Sequence, residues 1–117
     1  MAFKFESLKV WQVALDLNED IHRLTQSFPK EERYILSSQI LRATDSIALN
    51  IAEGSTGQSN KEFNRFLGYS VRSAIEVVGC LHIGKRRNYL NNNEFRVLYE
   101  KLEHLIKMIQ ALRKTLT

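Results

Sequence analysis

The sequence predicts an all-α protein, an antiparallel up-down-up-down four-helix bundle. Three observations lead there. Apolar residues recur at alternating steps of four and three along four stretches, the period of a helix with one buried face. One proline and five glycines leave the chain little punctuation, which favours a few long elements. The links between stretches are short, and short links force successive helices to lie adjacent and antiparallel. The 117 residues suit one domain spanning 1–117, long enough to bury a core without disulfide or metal staples.

The first helix is expected over about residues 7–27, with Val10, Ala14, Leu17, Ile21, Leu24 and Phe28 as its stripe and Trp11 widening it. Pro29 suits the first turn of a second helix, where a missing N–H costs nothing. That helix is expected over 29–53, with Leu36, Ile40, Ala43, Ile47 and Ile51 facing inward and Gly54 as a left-handed stop. The third, over 59–88, carries Phe63, Leu67, Ser70, Ala74, Val77 and Leu81. Its small residues, Gly68, Ser70, Ser73, Ala74, Gly79 and Gly84, favour close approach of a neighbouring helix and make it the expected oligomer contact. Asn91-x-x-Glu94 reads as a capping box opening the fourth helix, 92–115. Phe95, Leu98, Leu102, Leu105, Ile109, Leu112 and Leu116 form its stripe.

The stretch ALNIAEGSTGQSNKEF, residues 48 to 63, could be mistaken for a phosphate loop. A P-loop needs a strand, then G-x-x-x-x-G-K-[ST]. Here Gln58 follows Gly57, Lys61 comes three positions late, and a helix precedes. Ser59-x-x-Glu62 instead matches a capping box at the start of the third helix, so the stretch reads as a helical hairpin. Just upstream, Gln39, Arg42, Ser46, Asn50 and Glu53 cluster beside the apolar stripe of the second helix. They form either a half-exposed flank or a polar interface. A carboxylate near a helix C-terminus is disfavoured by the helix dipole, so Glu53 is expected to have a partner.

Several function classes drop out. One cysteine, Cys80, allows neither a disulfide framework nor a cysteine-based zinc site, and fits a reducing compartment. No apolar run reaches membrane-spanning length, and MAFKFESLKVWQ lacks the pattern of a secretory signal, so a cytoplasmic location is expected. A di-metal bundle site needs two E-x-x-H motifs, and only Glu19-x-x-His22 has that spacing. Glu100 and His104 look like a solvent-face pair. No serine or cysteine has a recognisable acid–base partner, so no catalytic residues, cofactor or metal are expected. Net charge is +4 and the pI about 9.4, which permits but does not require an acidic partner. Arg65, Arg72 and Arg86, separated by 7 and 14 residues, share one face of the third helix, with Lys61 close to the line and Lys85-Arg86-Arg87 at its end. This set is either a solvated face or a surface that tracks phosphates. Neither base stacking nor sequence readout is expected of it.

The run Gln39-Ile-Leu-Arg42-Ala43-Thr-Asp-Ser46-Ile47-Ala-Leu-Asn50-Ile51-Ala52-Glu53-Gly54 resembles the signature of the four helix bundle family, also called the 23S rRNA intervening-sequence protein family. Leu8-Lys-Val-Trp11-Gln12, Phe28-Pro29, Glu62-Phe63, Phe66-Leu67, Glu76 and Tyr89-Leu90 extend the resemblance over nearly the whole chain. It implies a bundle that assembles into a barrel-shaped homopentamer, with no catalysis and no cofactor. Gln39, Arg42, Ser46, Asn50, Glu53 and Gly54 become a family-signature polar interface. Nucleic-acid binding belongs to relatives, the accessory proteins of diversity-generating retroelements. The chain departs from many relatives at Leu41 and Gln58, where they are basic, and at Arg72, where they have glycine.

Two functions fit these observations. One is a non-catalytic homo-oligomeric adaptor with weak, non-specific affinity for RNA or DNA. The other is a structural or protein-interaction module with no nucleic-acid partner, engaging a protein through apolar residues left exposed on the bundle; Phe3, Phe5 and Trp11 are candidates, with packing on their own bundle the alternative.

Overall fold

Four amphipathic segments meet along one axis in the computed structural model, which describes residues 2–57 and 59–117. They are α1 (Lys9–Thr25), α2 (Leu36–Ser55), α3 (Asn60–Arg86) and α4 (Asn92–Lys114), with no strand among the described residues. Short 3-10 turns at Lys4–Ser7 and Lys30–Glu32 precede α1 and α2. The long axis measures 43 Å against 22 Å across. At 1.5 Å per residue α3 alone is roughly 40 Å long, so it runs the length of the molecule.

The stripes are where the periodicity puts them. Ile21, Ile40, Ile51, Leu67, Val77, Leu81, Leu102, Leu105 and Ile109 are fully enclosed. Ser70, the polar member of the α3 stripe, is equally enclosed, and its hydroxyl donates to the Ile47 carbonyl of α2 at 2.7 Å. That bond removes the cost of burying the hydroxyl and ties the two most extensively packed helices together. Gly54 lies beside Phe66, Ile47 beside Ser70, and Gln39 beside Glu76, so α2 and α3 run in opposite directions. The α3–α4 contacts, Asn64 with Arg113 and Lys85 with Phe95, run in opposite order as well. Asp20 of α1 accepts from Lys101 of α4 at 2.7 Å, and Asn18 donates to Asp45 of α2 at 2.8 Å.

The capping box at Asn91 forms as expected. Glu94 N–H donates to Asn91 Oδ1 at 2.8 Å, and Asn91 N–H donates to Glu94 Oε1 at 2.9 Å. At α3 the Ser59 hydroxyl accepts from Glu62 N–H at 3.1 Å. The Glu62 side chain packs beside Gly57.

Three expectations change. The second helix begins at Leu36, not Pro29. Pro29 is extended, with ψ of 148°, and the chain makes a 3-10 turn before Ile35 breaks the helical path. The cause lies far along the chain. The buried Glu32 carboxylate accepts from Tyr89 Oη at 2.6 Å, from Arg87 Nη1 at 2.9 Å and from Leu36 N–H at 3.3 Å. Glu32 thereby clamps the start of α2 to the end of α3. Gly54, in turn, is not a left-handed stop. It is helical, and α2 ends one residue later. The left-handed cap sits instead at Asn88, with φ of 65°. Tyr89 N–H donates to Gly84 O and Asn88 N–H to Lys85 O, the paired bonds of a Schellman motif. This motif ends α3 at Arg86, short of residue 88.

The clamp carries a pH signature. The Tyr89 hydrogen bond, helped by Leu36 N–H and Arg87, holds the Glu32 carboxyl below its ordinary 4.5 despite the opposing effect of burial. A depressed carboxylate stabilises the fold above its unfolded value, and that stability is lost as pH falls through the folded value. Thermal melts followed by circular dichroism should show a steeper loss of Tm below about pH 4.5 in the wild type than in Glu32→Gln. Parallel acid limbs would show that the clamp contributes nothing to the acid response. The same hydrogen bond raises Tyr89 above its ordinary 10.0, so this contribution also fades in strong alkali.

Candidate nucleic-acid interface

The outer face of α3 is built by a seven-residue repeat. Seven residues make nearly two turns, so Arg65, Arg72 and Arg86 fall on one line, at intervals of about 10 and 21 Å along the helix. All three are exposed, as is Lys61 in the first turn. None of these four side chains is in an ion pair among the described residues. Arg65 lies over the Phe66 ring, 5.4 Å from its centroid. Gly79 stands between Arg72 and Arg86 with open space where a side chain would be.

The remaining basic candidates are engaged differently. Arg87 is held by Glu32 in the clamp. Lys85 turns toward α4, its Nζ 4.7 Å from the Phe95 ring centroid. Phe95 also meets His82 at 4.8 Å and Tyr99 at 5.7 Å. Aromatic rings therefore do stand among the basic residues: Phe66 beside Arg65 on α3 itself and, at the end of α3, Phe95 and Tyr99 supplied by the next helix. The signal for the last two was available in the short α3–α4 link, which folds residues 95 and 99 back against 85 and 82. A search along the α3 sequence alone misses it.

The polar set on α2 divides in two. Ser46 and Asn50 are satisfied within the chain. Asn50 Nδ2 donates to Ser46 O and Oγ at 2.9 and 3.0 Å, and Ser73 Oγ donates to Ser46 Oγ at 2.9 Å. Gln39 reaches Glu76 at 3.4 Å. Arg42 and Glu53 are exposed, and neither side chain has an ion pair or hydrogen bond among the described residues. The partner expected for Glu53 is not found among the described residues. Near them Tyr34, Ile35 and Leu49 are exposed, at 84%, 61% and 56%. Of the small residues of α3, Ser70, Ala74 and Gly84 are buried within the chain. At the other end of the molecule Phe5 meets Trp11 edge-on at 4.6 Å and both are half-buried, whereas Phe3 is exposed.

Residues 6–111 match the family described as 23S rRNA-intervening sequence protein. The chain belongs to this family. The fold is also similar to the crystal structure of a protein of unknown function from the S23 ribosomal protein family of Bacteroides thetaiotaomicron. The two share 24% identity and a TM-score of 0.83, over 90% of this chain and 98% of that one. No curated protein matches the chain.

The family description names no catalytic activity. Among the described residues no three His, Cys, Asp or Glu side chains converge as metal ligands, and no helix is long and apolar enough to cross a membrane. Glu19, His22, Glu100 and His104 are exposed on helix surfaces. Cys80 is buried, and burial, with the Glu76 charge adding, pushes its thiol up. A thiol held protonated is a poor nucleophile. Gln58, one of the positions that departs from many relatives, lies outside the described residues.

Proposed function

We propose that this member of the 23S rRNA-intervening sequence protein family is a non-catalytic, cytoplasmic, self-associating bundle of up-down-up-down course that binds RNA or DNA backbones weakly and without sequence preference. The observation that carries the binding is the line of unpaired arginines on the outer face of α3. Intramolecular ion pairs would have neutralised their charge; instead it faces water. Their spacing of about 10 to 20 Å suits phosphates along a strand, and each phosphate neutralised releases counterions. Repetition in a homopentamer would multiply a modest charge fivefold. The face built by Arg42, Glu53, Leu49 and Ile35 is suited to a second copy of the chain. It joins exposed apolar area with two unpaired charges of opposite sign. It also supports the second reading, a module whose partner is a protein.

A mobility-shift titration with structured RNA at two salt concentrations tests the binding. The wild type should shift the RNA at low salt, and raising the salt should weaken binding steeply. Arg65→Glu with Arg72→Glu should lower the affinity and reduce the salt slope by about one for each phosphate no longer neutralised. No shift at low salt would sink the nucleic-acid reading. Light scattering tests assembly separately, with a species about five times 13.6 kDa expected and a single 13.6 kDa species ruling it out.

A further inference from the structure

The end of α3 and the start of α4 hold three rings and an ammonium group in mutual contact. Phe95 is at the centre. His82 meets it edge-on at 66°, Tyr99 lies tilted at 32°, and Lys85 Nζ stands over its ring. His82 and Tyr99 also meet each other, at 6.4 Å and 89°. Phe95 is half-buried, whereas His82 and Tyr99 are exposed. On one side of the rings His82, Lys85, Arg86 and Asn88 line a concavity of about 540 Å³. On the other, Tyr99 borders an apolar slot of about 270 Å³ with Ile75 and Val78, edged by Glu103 and Lys107.

We propose that this corner binds an unpaired nucleotide of a single-stranded nucleic acid, with the base against the exposed rings and the phosphate on Lys85 and Arg86. The site rests on the nucleic-acid reading above, but does something the arginine line does not. Flat apolar surface beside a ring is what an unstacked base seeks, and any base has such a face. Charge sets the direction. Glu103 and Lys107 offset each other at the slot, while Lys85 and Arg86 line the concavity on the other side with no carboxylate among its lining residues and draw the phosphate there. In a duplex the bases are stacked on each other and are not offered to the rings, so the corner distinguishes single strands from duplexes.

Fluorescence anisotropy with a labelled strand of about ten nucleotides, made as RNA and as DNA, and with the matching duplex, tests this on the full chain. The wild type should bind the single strand more tightly than the duplex. Tyr99→Ala should weaken single-strand binding about tenfold, within the range of one stacked base, and leave duplex binding unchanged. Tyr99→Phe should retain the single-strand affinity, which separates stacking from loss of fold. Lys85→Ala with Arg86→Ala should weaken both ligands and flatten the salt dependence. A similar loss for RNA and DNA indicates stacking alone, and a larger loss for RNA adds a contact to the ribose; both support the site. Equal single-strand and duplex affinities, or a Tyr99→Ala variant that keeps its circular dichroism and its single-strand affinity, overturn it while leaving the arginine line standing. Displacement of the strand by polyglutamate in wild type and Tyr99→Ala alike would mark the corner as a charge patch and overturn it as well. A wild type that binds no nucleic acid overturns both readings.

Discussion

Gly54→Ala should destabilise the folded chain by about 1–3 kcal/mol, the usual cost of forcing an extra carbon into a packed interior. A Cβ at position 54 would lie 2.6 Å from Phe66 Cβ and 3.1 Å from Phe63 Cδ1. Phe66 Cβ is bonded to the α3 backbone and cannot rotate away, so α2 and α3 must part. Parting stretches the Ser70 bond to Ile47 and the Ser73 bond to Ser46. Alanine gains roughly 1 kcal/mol of helix propensity over glycine, which offsets only some of the cost. Gly79→Ala is the matched control. It too sits mid-helix, but nothing lies within 4 Å of its added methyl. There the propensity term stands alone, and a gain of about 0.5–1 kcal/mol is expected. Urea melts of both variants should move in opposite directions. A Gly54→Ala protein as stable as the wild type would mean that the α2–α3 packing is looser than these distances imply.

Leu102→Ala should cost about 2–5 kcal/mol, the range for a buried leucine whose cavity cannot collapse. Leu102 has no exposed surface and lies midway along α4, enclosed by the core. Leu116 belongs to the same sequence stripe but lies past the end of α4 and is only half-buried. Truncating it should cost well under half as much as truncating Leu102, because water already reaches it and the frayed end can adjust. The ordering, read from denaturation midpoints at constant slope, matters more than either value. Equal losses would show that the terminal turn is packed as firmly as the centre.

The two faces of α3 illustrate how its residues are divided. Its inner face is committed to the fold, down to the Ser70 hydroxyl. Its outer face carries arginines that form no ion pair or side-chain hydrogen bond among the described residues, Arg65 resting on the Phe66 ring, and are therefore available to a ligand. Arg87 stands one position beyond Arg86 and is committed to Glu32. Charge in sequence and charge available for binding are thus different quantities, and the ion-pair geometry separates them.

The four helices, their inward residues, the Asn91 cap and the arginine line could all be read from the sequence. Each rests on periodicity or on a cap spanning three residues, and such patterns are local properties of the chain. Family membership was legible for a related reason, since the signature on α2 is one contiguous run. What only the tertiary structure decided are meetings between residues remote in sequence. Glu32 finds its partners 55 and 57 positions away, and this delays α2 to Leu36 and commits Arg87, though still exposed, to an ion pair. Gly54 reads as a stop until Phe66 is seen against it; it is there because two helix backbones cross closely at that point. The rings beside Lys85 come from the following helix. Helical periodicity specifies which side of each helix is turned inward, but not which residues of two helices stand opposite one another. That register is settled only when the helices pack.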